Sequence, residues 1–573
     1  MSKTLTALAA VLCCAAPAAW AQVSSFDTTT NLLMIPSVSV GASSFINVSL
    51  KNRGDYVFEL QDATAQSPAA PGVTSYDAVS GVLTLPAVKV GNSTYVDVKL
   101  LNTGNFVFTL QAATALPQAT IDEALALVTT LDARWATGVP ATTELRTSLL
   151  DSCYLHDGRS KAWLIADTDA NLAAYALRDA YQVGRRSSNL QVLALRNAVN
   201  ADGSTRREID VQYDISYSDG TSTSQTKSTL VSGSTNGTPR CTTPQNLAAL
   251  RYLGNQMIVQ ASVRANNWRD ERYNISNGAP ASPAVNYRRE VQFQITDPLG
   301  HAKYVIVTGR GPTNTIAGQV HPFSMKFLSP QLLKSAPELQ GKQGNFLNWL
   351  ADDSFRNCRM ADGSVPVVMV VDCVANGATT NVWGWTTSTP DAAADQGFVA
   401  QDWAAGTSYR FDVYDDDGWK TVNGHANRTP VATYHAMLDR LPYTFVAMTN
   451  KYPLIYLGGM SSAQAAANAV SATPAPLSLS WTQPGAQADG RKLHLFQVWE
   501  FHQGAKASNL GTTFNPAYRS IVRAYPGTTA TSTTSFPVTA KLPDQKSKTY
   551  TEFNLFFAEP GTFNSIQSRV SLQ

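Results

Sequence analysis

The stretch Gly81–Gln111, GVLTLPAVKVGNSTYVDVKLLNTGNFVFTLQ, repeats Asn31–Gln61, NLLMIPSVSVGASSFINVSLKNRGDYVFELQ, fifty residues later and without insertion. Pro36 aligns with Pro86, Gly41 with Gly91, Asn52 with Asn102, Gly54 with Gly104 and Gln61 with Gln111. The lead-ins agree too, Phe26-Asp27 beside Tyr76-Asp77. A tandem repeat at fixed period is an architectural signal. Inside each copy the period is two. Ile46, Val48 and Leu50 alternate with polar residues, as do Val96, Val98 and Leu100. After a turn the pattern resumes with Tyr56, Phe58 and Leu60, and with Phe106, Phe108 and Leu110. Such alternation gives each strand one buried and one wet face. Asn52-Arg53-Gly54-Asp55 and Asn102-Thr103-Gly104-Asn105 read as hairpin turns whose glycine takes positive φ. Pro36 and Pro86 predict edge or bent strands. One copy is too small for a core of its own, so the two are expected to pack together, as a sandwich or a short β-stack.

These copies resemble short β-repeats of exported proteobacterial proteins of unknown function. The resemblance implies export by a Gram-negative type of bacterium. The first residues agree: Lys3 precedes the apolar run Leu5–Ala16, and Ala19-Trp20-Ala21 forms a small-x-small cleavage site, so 1–21 reads as a signal peptide. That run is too short to span a bilayer, and no integral membrane segment is expected in the mature chain.

Hydrophobic residues make up 44% of the chain, enough for packed cores. Charged residues make up 15%, well below the ~25% of average soluble domains. The surface is therefore rich in uncharged polar side chains, as suits a periplasmic, cell-surface or extracellular protein. The net charge of +2, without a cationic block, argues against nucleic acid as a partner. Four cysteines remain after the signal, and an oxidising compartment would pair them. Cys358 and Cys373 flank a turn and an apolar strand, which leaves Cys153 with Cys241.

After the repeats (22–116) the period changes. Ile121, Ala124, Leu125, Val128 and Leu131 fall at helical spacing, with Thr120 and Glu123 as a capping box. Helices are predicted over Glu144–Leu155 and Asn171–Tyr181. An alternating strand follows through Ile209, Val211, Tyr213, Ile215 and Tyr217. Helices before strands make 117–276 an α+β domain. In its order of elements, 142–268 resembles the cone-shaped fold of nuclear transport factor 2 and its relatives; the resemblance implies a pocket, often without enzymatic activity. Residues 277–283, NGAPASP, read as a linker into a β-sandwich-like domain at 277–460. Strands are predicted at Val291–Ile295, Tyr304–Thr308 and Val367–Val371, and helices at Phe346–Leu350 and Ala432–Leu441. The Ala-rich 461–476 reads as a linker or short helix, and 477–573 as a second sandwich that resembles fibronectin type III or immunoglobulin modules. The expected class is thus mainly β and multidomain.

For chemistry the pattern offers less. No GxSxG elbow and no CxxC is present. Asp415 and Asp417 in DDDG suggest a weak calcium loop, although the alternating acids and the later Glu of such loops are missing. Asp151, His156 and Asp157 surround Cys153 and could line a pocket mouth, beside the plainer reading of caps and turns. Trp383, Trp385, Trp403 and Trp419 fall close together and suggest a sugar-stacking platform, with a core role for at least two of them. The leading expectation is an exported binding, adhesion or structural protein that takes a polysaccharide or another cell-surface component, with no cofactor. A secreted hydrolase acting on an extracellular polymer and a periplasmic small-molecule carrier are the alternatives.

Overall fold

The computed structural model describes residues 23–40, 43–66, 74–151, 153–199, 205–218, 220–229, 252–316, 319–321, 323–329, 332, 356–358, 384–420, 428–506, 519–524, 533–536, 538 and 545–573. The signal peptide, the 346–350 helix and the 367–371 strand lie outside the described residues.

Each repeat gives four strands: β1 (Ser24–Asp27), β2 (Leu32–Val40), β3 (Ser43–Asn52) and β4 (Val57–Gln66), then β5 (Ser75–Asp77), β6 (Val82–Val90), β7 (Ser93–Gly104) and β8 (Val107–Leu116). They pair in the order β1-β2-β3-β4-β8-β7-β6-β5 and close on themselves through β1–β6 and β2–β5. The closing pairs are related by the fifty-residue shift. Ser25 opposes Lys89 as Ser75 opposes Ser39, and Phe26 opposes Val90 as Tyr76 opposes Val40. Phe58 opposes Phe108 on this local dyad. Phe26 packs edge-on against Phe58 at 6.0 Å, and Tyr76 against Phe108 at 6.0 Å. The repeats thus form an intramolecular pseudo-dimer, a closed barrel around Ile35, Leu50, Leu85 and Leu100. Closure removes the sheet edges that either copy alone would expose.

The prolines lie in strands paired on both sides, not at edges. Ladder pairing skips Pro36 between Ile35↔Val48 and Ser37↔Ile46, and likewise skips Pro86. The residues left opposite, Asn47 and Asp97, both take φ of 53°. A missing N–H is met here by a bulge in the partner strand.

Helix α1 (Gln118–Trp135) follows, with Ile121, Ala124, Val128 and Leu131 buried as the spacing predicts. Its N-cap is Pro117, with no side-chain cap, so the Thr120–Glu123 box does not form. The second expected helix is a short α turn at Thr142–Glu144 continued by a π turn at Leu145–Leu149, and the third starts earlier, at Lys161–Arg178. A four-stranded antiparallel sheet, Arg186–Val199, Thr205–Ser216, Ser222–Thr229 and Tyr252–Gly254, completes the α+β unit. Ile209, Val211, Tyr213 and Ile215 face α1.

The rest of the chain departs from the expected division. Residues 277–283 do not link two domains. They complete the turn and begin the second strand of an antiparallel hairpin, Gln260–Tyr273 with Pro280–Thr296, paired from Gln260↔Thr296 to Tyr273↔Pro280. The boundary at 276/277 therefore falls inside one hairpin. That hairpin shares a seven-stranded sheet with Gly384–Thr387, Ser565–Leu572, Gln545–Ala558, His494–Lys506 and Arg519–Ala524. Ser565–Leu572 runs parallel to Gln260–Tyr273, with Asn266 opposite Ser565. The two expected sandwich modules thus share one sheet across the 461–476 segment. That segment carries a helix, Ser462–Val470, with a Ser461–Gln464 capping box, and its Ala466 and Ala469 pack on Leu572.

One face of the large sheet is apolar and doubly covered. Val263, Ala265, Val291 and Phe293 meet a five-stranded sheet through Val305, Phe327, Tyr409 and Phe411. Val498, Phe553, Leu555 and Val570 meet a three-stranded sheet through Leu479 and Trp481. Residues Ala432–Met437, expected as helix, form a strand beside Ser408–Tyr414. The architecture is mainly β, built of several sheets and multidomain.

Candidate binding face

Of the tryptophans singled out in the sequence, two of the three among the described residues are buried. Trp403 is buried among Phe323, Phe293 and Tyr409, its Nε1 donating to Gln401 Oε1 at 2.9 Å. Trp419 is buried as well. Trp385 is 39% exposed on the edge strand Gly384–Thr387 and packs over Gly397. Trp383 lies outside the described residues. The DDDG stretch is a turn. Asp417 pairs with Lys303 at 2.9 Å, and Asp416 accepts from Tyr304 Oη at 2.9 Å and from Gly418 N–H at 2.6 Å. No group of three or more side chains that could hold a metal gathers among the described residues, Asp415 and Asp417 included.

The residues around Cys153 form a clamp. Asn255 donates its N–H to His156 Nδ1 at 3.0 Å and its amide to Asp157 Oδ1 at 2.5 Å, and its Oδ1 accepts from Asp157 N–H at 2.9 Å. Asp151 accepts from Cys153 N–H at 2.8 Å. Burial, with the neighbouring Lys227 charge, lowers His156 to about 4, so the ring is neutral near pH 7. Burial also brings Lys227 down to about 8. Cys153 is disulfide-bonded. Cys241 and Cys373 lie outside the described residues, and Cys358 is described only in its backbone.

The second face of the seven-stranded sheet carries a different chemistry. Alternation and register place Arg264, Asn266, Trp268 and Asp270 on it, beside Arg288, Glu290 and Gln292 on one neighbour and Ser565, Gln567 and Arg569 on the other. Glu552, Asn554 and Phe556 continue the face, then Trp499. Its charges are largely answered within the sheet. Arg569 donates to Asp270 at 2.8 Å and to Glu552 at 2.9 Å. Arg288 pairs with Glu290 at 3.1 Å. Tyr550 hydrogen-bonds Glu552, and the Trp499 indole donates to Glu552 at 3.3 Å. Arg288 and Arg569 lie 4.8 and 5.4 Å from the Trp268 ring.

Several polar atoms on this face are left without partners among the described residues. They are Asn266 Nδ2, Trp268 Nε1, Gln567 Oε1 and both amide atoms of Asn554. Their side chains are buried, Asn554 at 0% and Gln567 at 1% exposure. Trp268 and Gln567 are direct cross-strand neighbours, and Asn554, opposite Arg569, is diagonal to Gln567. Same-face diagonal neighbours lie roughly 7–8 Å apart, while Asn266 and Asn554, two strands and four residues apart in register, lie roughly 16 Å apart, so the set matches a short chain of polar units and not one small molecule. A buried amide with neither group bonded costs about 1–3 kcal/mol, so five such atoms on one face are a local cost to the fold. The set holds donors and acceptors and is not a metal-ligand set.

The sequence carried a trace of this face. In Ser565–Ser571, SIQSRVS, and in Arg264–Asp270, RANNWRD, the wet positions hold Asn, Gln, Arg and Trp in place of the Lys and Glu of an ordinary solvated strand. What it did not carry was that segments about three hundred residues apart lie side by side. No protein-family model matches the chain, and neither the curated proteins nor the solved structures give a match. No helix among the described residues is long and apolar enough to cross a membrane.

Proposed function

We propose that the protein is an exported binding protein of the periplasm or cell surface that holds a polyhydroxylated ligand, a carbohydrate segment, on the polar face of its seven-stranded sheet. The unpartnered amide and indole groups of Asn554, Gln567, Asn266 and Trp268 carry this reading. Hydroxyl groups both donate and accept, and they match such a mixed set as neither an anion nor an apolar ligand does. The low charge content and the disulfide at Cys153, with Cys241 as proposed partner, support export.

Asn554→Leu tests it. Removing an unpartnered buried amide should leave the thermal midpoint unchanged or higher, while glycan binding weakens by tenfold or more, about 1.4 kcal/mol. Titration calorimetry against a hit from a glycan array, with Trp385→Ala as a control that retains binding, reads both. If Asn554→Leu unfolds the sheet while no glycan binds the parent protein, the amide is structural and the reading fails.

A further inference from the structure

The three arginines of the polar face are balanced by Asp270, Glu290 and Glu552, but the pairing is uneven and leaves one cation without a direct partner. Arg288 has Glu290, and Arg569 has Asp270 and Glu552. Arg264 instead donates its Nε to the neutral Gln292 Oε1 at 2.7 Å, and its guanidinium lies 5.2 Å from the Phe556 ring. Among the described residues no carboxylate comes within ion-pair distance of it. The nearest acidic influence is Glu290, already committed to Arg288. Burial lowers Arg264 to about 10, so it is still a full cation at neutral pH. A half-buried guanidinium without a counter-charge is costly, and chains normally supply one.

Its position is also specific. Arg264 is two residues from Asn266 on the same strand face, and Phe556, over which it lies, is the cross-strand neighbour of Gln567. The cation therefore borders the unpartnered amides. Gln292 on one side and Phe556 on the other hold the fork in place before any ligand arrives.

Resting on the reading of this face as a carbohydrate site, we infer that the ligand is an acidic glycan whose oxyanion, a uronate carboxylate or a sulfate ester, sits on Arg264 while its hydroxyls meet Asn266, Gln567 and Asn554. A planar guanidinium fork matches a carboxylate in two-point fashion and tolerates a sulfate. A purely neutral sugar would leave the cation unanswered.

The test is an array of matched pairs, each acidic oligosaccharide beside its neutralised form: uronides beside their methyl esters, sulfated beside desulfated chains. The intact mature protein should bind the acidic member at least tenfold more tightly, and the favoured pair tells carboxylate from sulfate. Raising salt should narrow the gap. Arg264→Gln should abolish the preference while keeping the weaker binding of the neutral member, and Arg264→Lys should restore part of it. Equal binding of both members, lost on Asn554→Leu, would overturn the anion subsite and leave the carbohydrate reading standing. Binding of no glycan at all would remove both. If Arg264→Gln fails to fold, the pair preference of the unaltered protein and its salt dependence still decide.

Discussion

The N-terminal barrel and the seven-stranded sheet are built of the same kind of strand and reach opposite ends. In the barrel every partner lies within about a hundred residues, and the inward side chains are apolar. In the sheet, Asn266 meets Ser565 and Glu290 meets Gly384, and one whole face is polar and largely turned from solvent. The barrel puts hydrophobic burial to use in closing a shape. The sheet gives one face to that purpose and fills the other with hydrogen-bonding groups, some unmatched. Unmatched groups weaken a fold, and a ligand of the kind proposed above would answer them.

This contrast can be broken most forcefully at Arg569. Arg569→Ala should cost about 3–5 kcal/mol, because Asp270 and Glu552 stay behind as unpaired buried carboxylates. Urea denaturation checks it. A loss under about 1 kcal/mol would mean that the face is well hydrated and the contrast with the barrel is overstated.

A smaller effect is expected with pH in the α+β unit. His156 titrates near 4 when folded and near 6.5 when unfolded, among Asp157, Arg159, Lys227 and Tyr154. The unfolded chain therefore takes up a proton first. Stability is full above pH 6.5, falls as pH drops from 6.5 to 4, and loses nothing more from this group below that. The drop is on the order of 3 kcal/mol. Chemical denaturation across that window should show it, and His156→Gln should flatten it. An equal slope in the variant would assign the pH dependence to other groups.

The smallest change sharpens the barrel side. Tyr56 and Phe106, at matching repeat positions, are exposed and held at φ of 59° and 56°. Tyr56→Gly should stabilise the barrel by about 0.5–1 kcal/mol through relief of that backbone strain. A loss of stability would show that the ring makes contacts that outweigh it.

How far the sequence could be read follows the same divide. The repeat was legible because strand period, turn glycines and copy number all act locally, though the closing parallel pairs were not. Helix α1 was legible from Ile121, Ala124, Val128 and Leu131. Asn277–Pro283 misled because Gly and Pro mark a hairpin turn and a linker alike, and the partner strand that distinguishes them is supplied by tertiary pairing. Ala432–Met437 looked helical by composition, yet edge pairing with Ser408–Tyr414 overrode it. The aromatic cluster drew attention to Trp403 and Trp419, which the core absorbs. Trp268 and Trp499 stood apart in the sequence and share a face only in the fold.

The parallel pairing of Ser565–Leu572 with Gln260–Tyr273 sets a clock on biosynthesis. At roughly 5–20 residues per second, about 15–60 s pass between the making of the one strand and the arrival of the other. Through that interval the hairpin stands with an open flank, and the sheet cannot lock. The barrel, whose partners all lie within about a hundred residues, can mature through this interval while the large sheet stays pliable until its last strand is made.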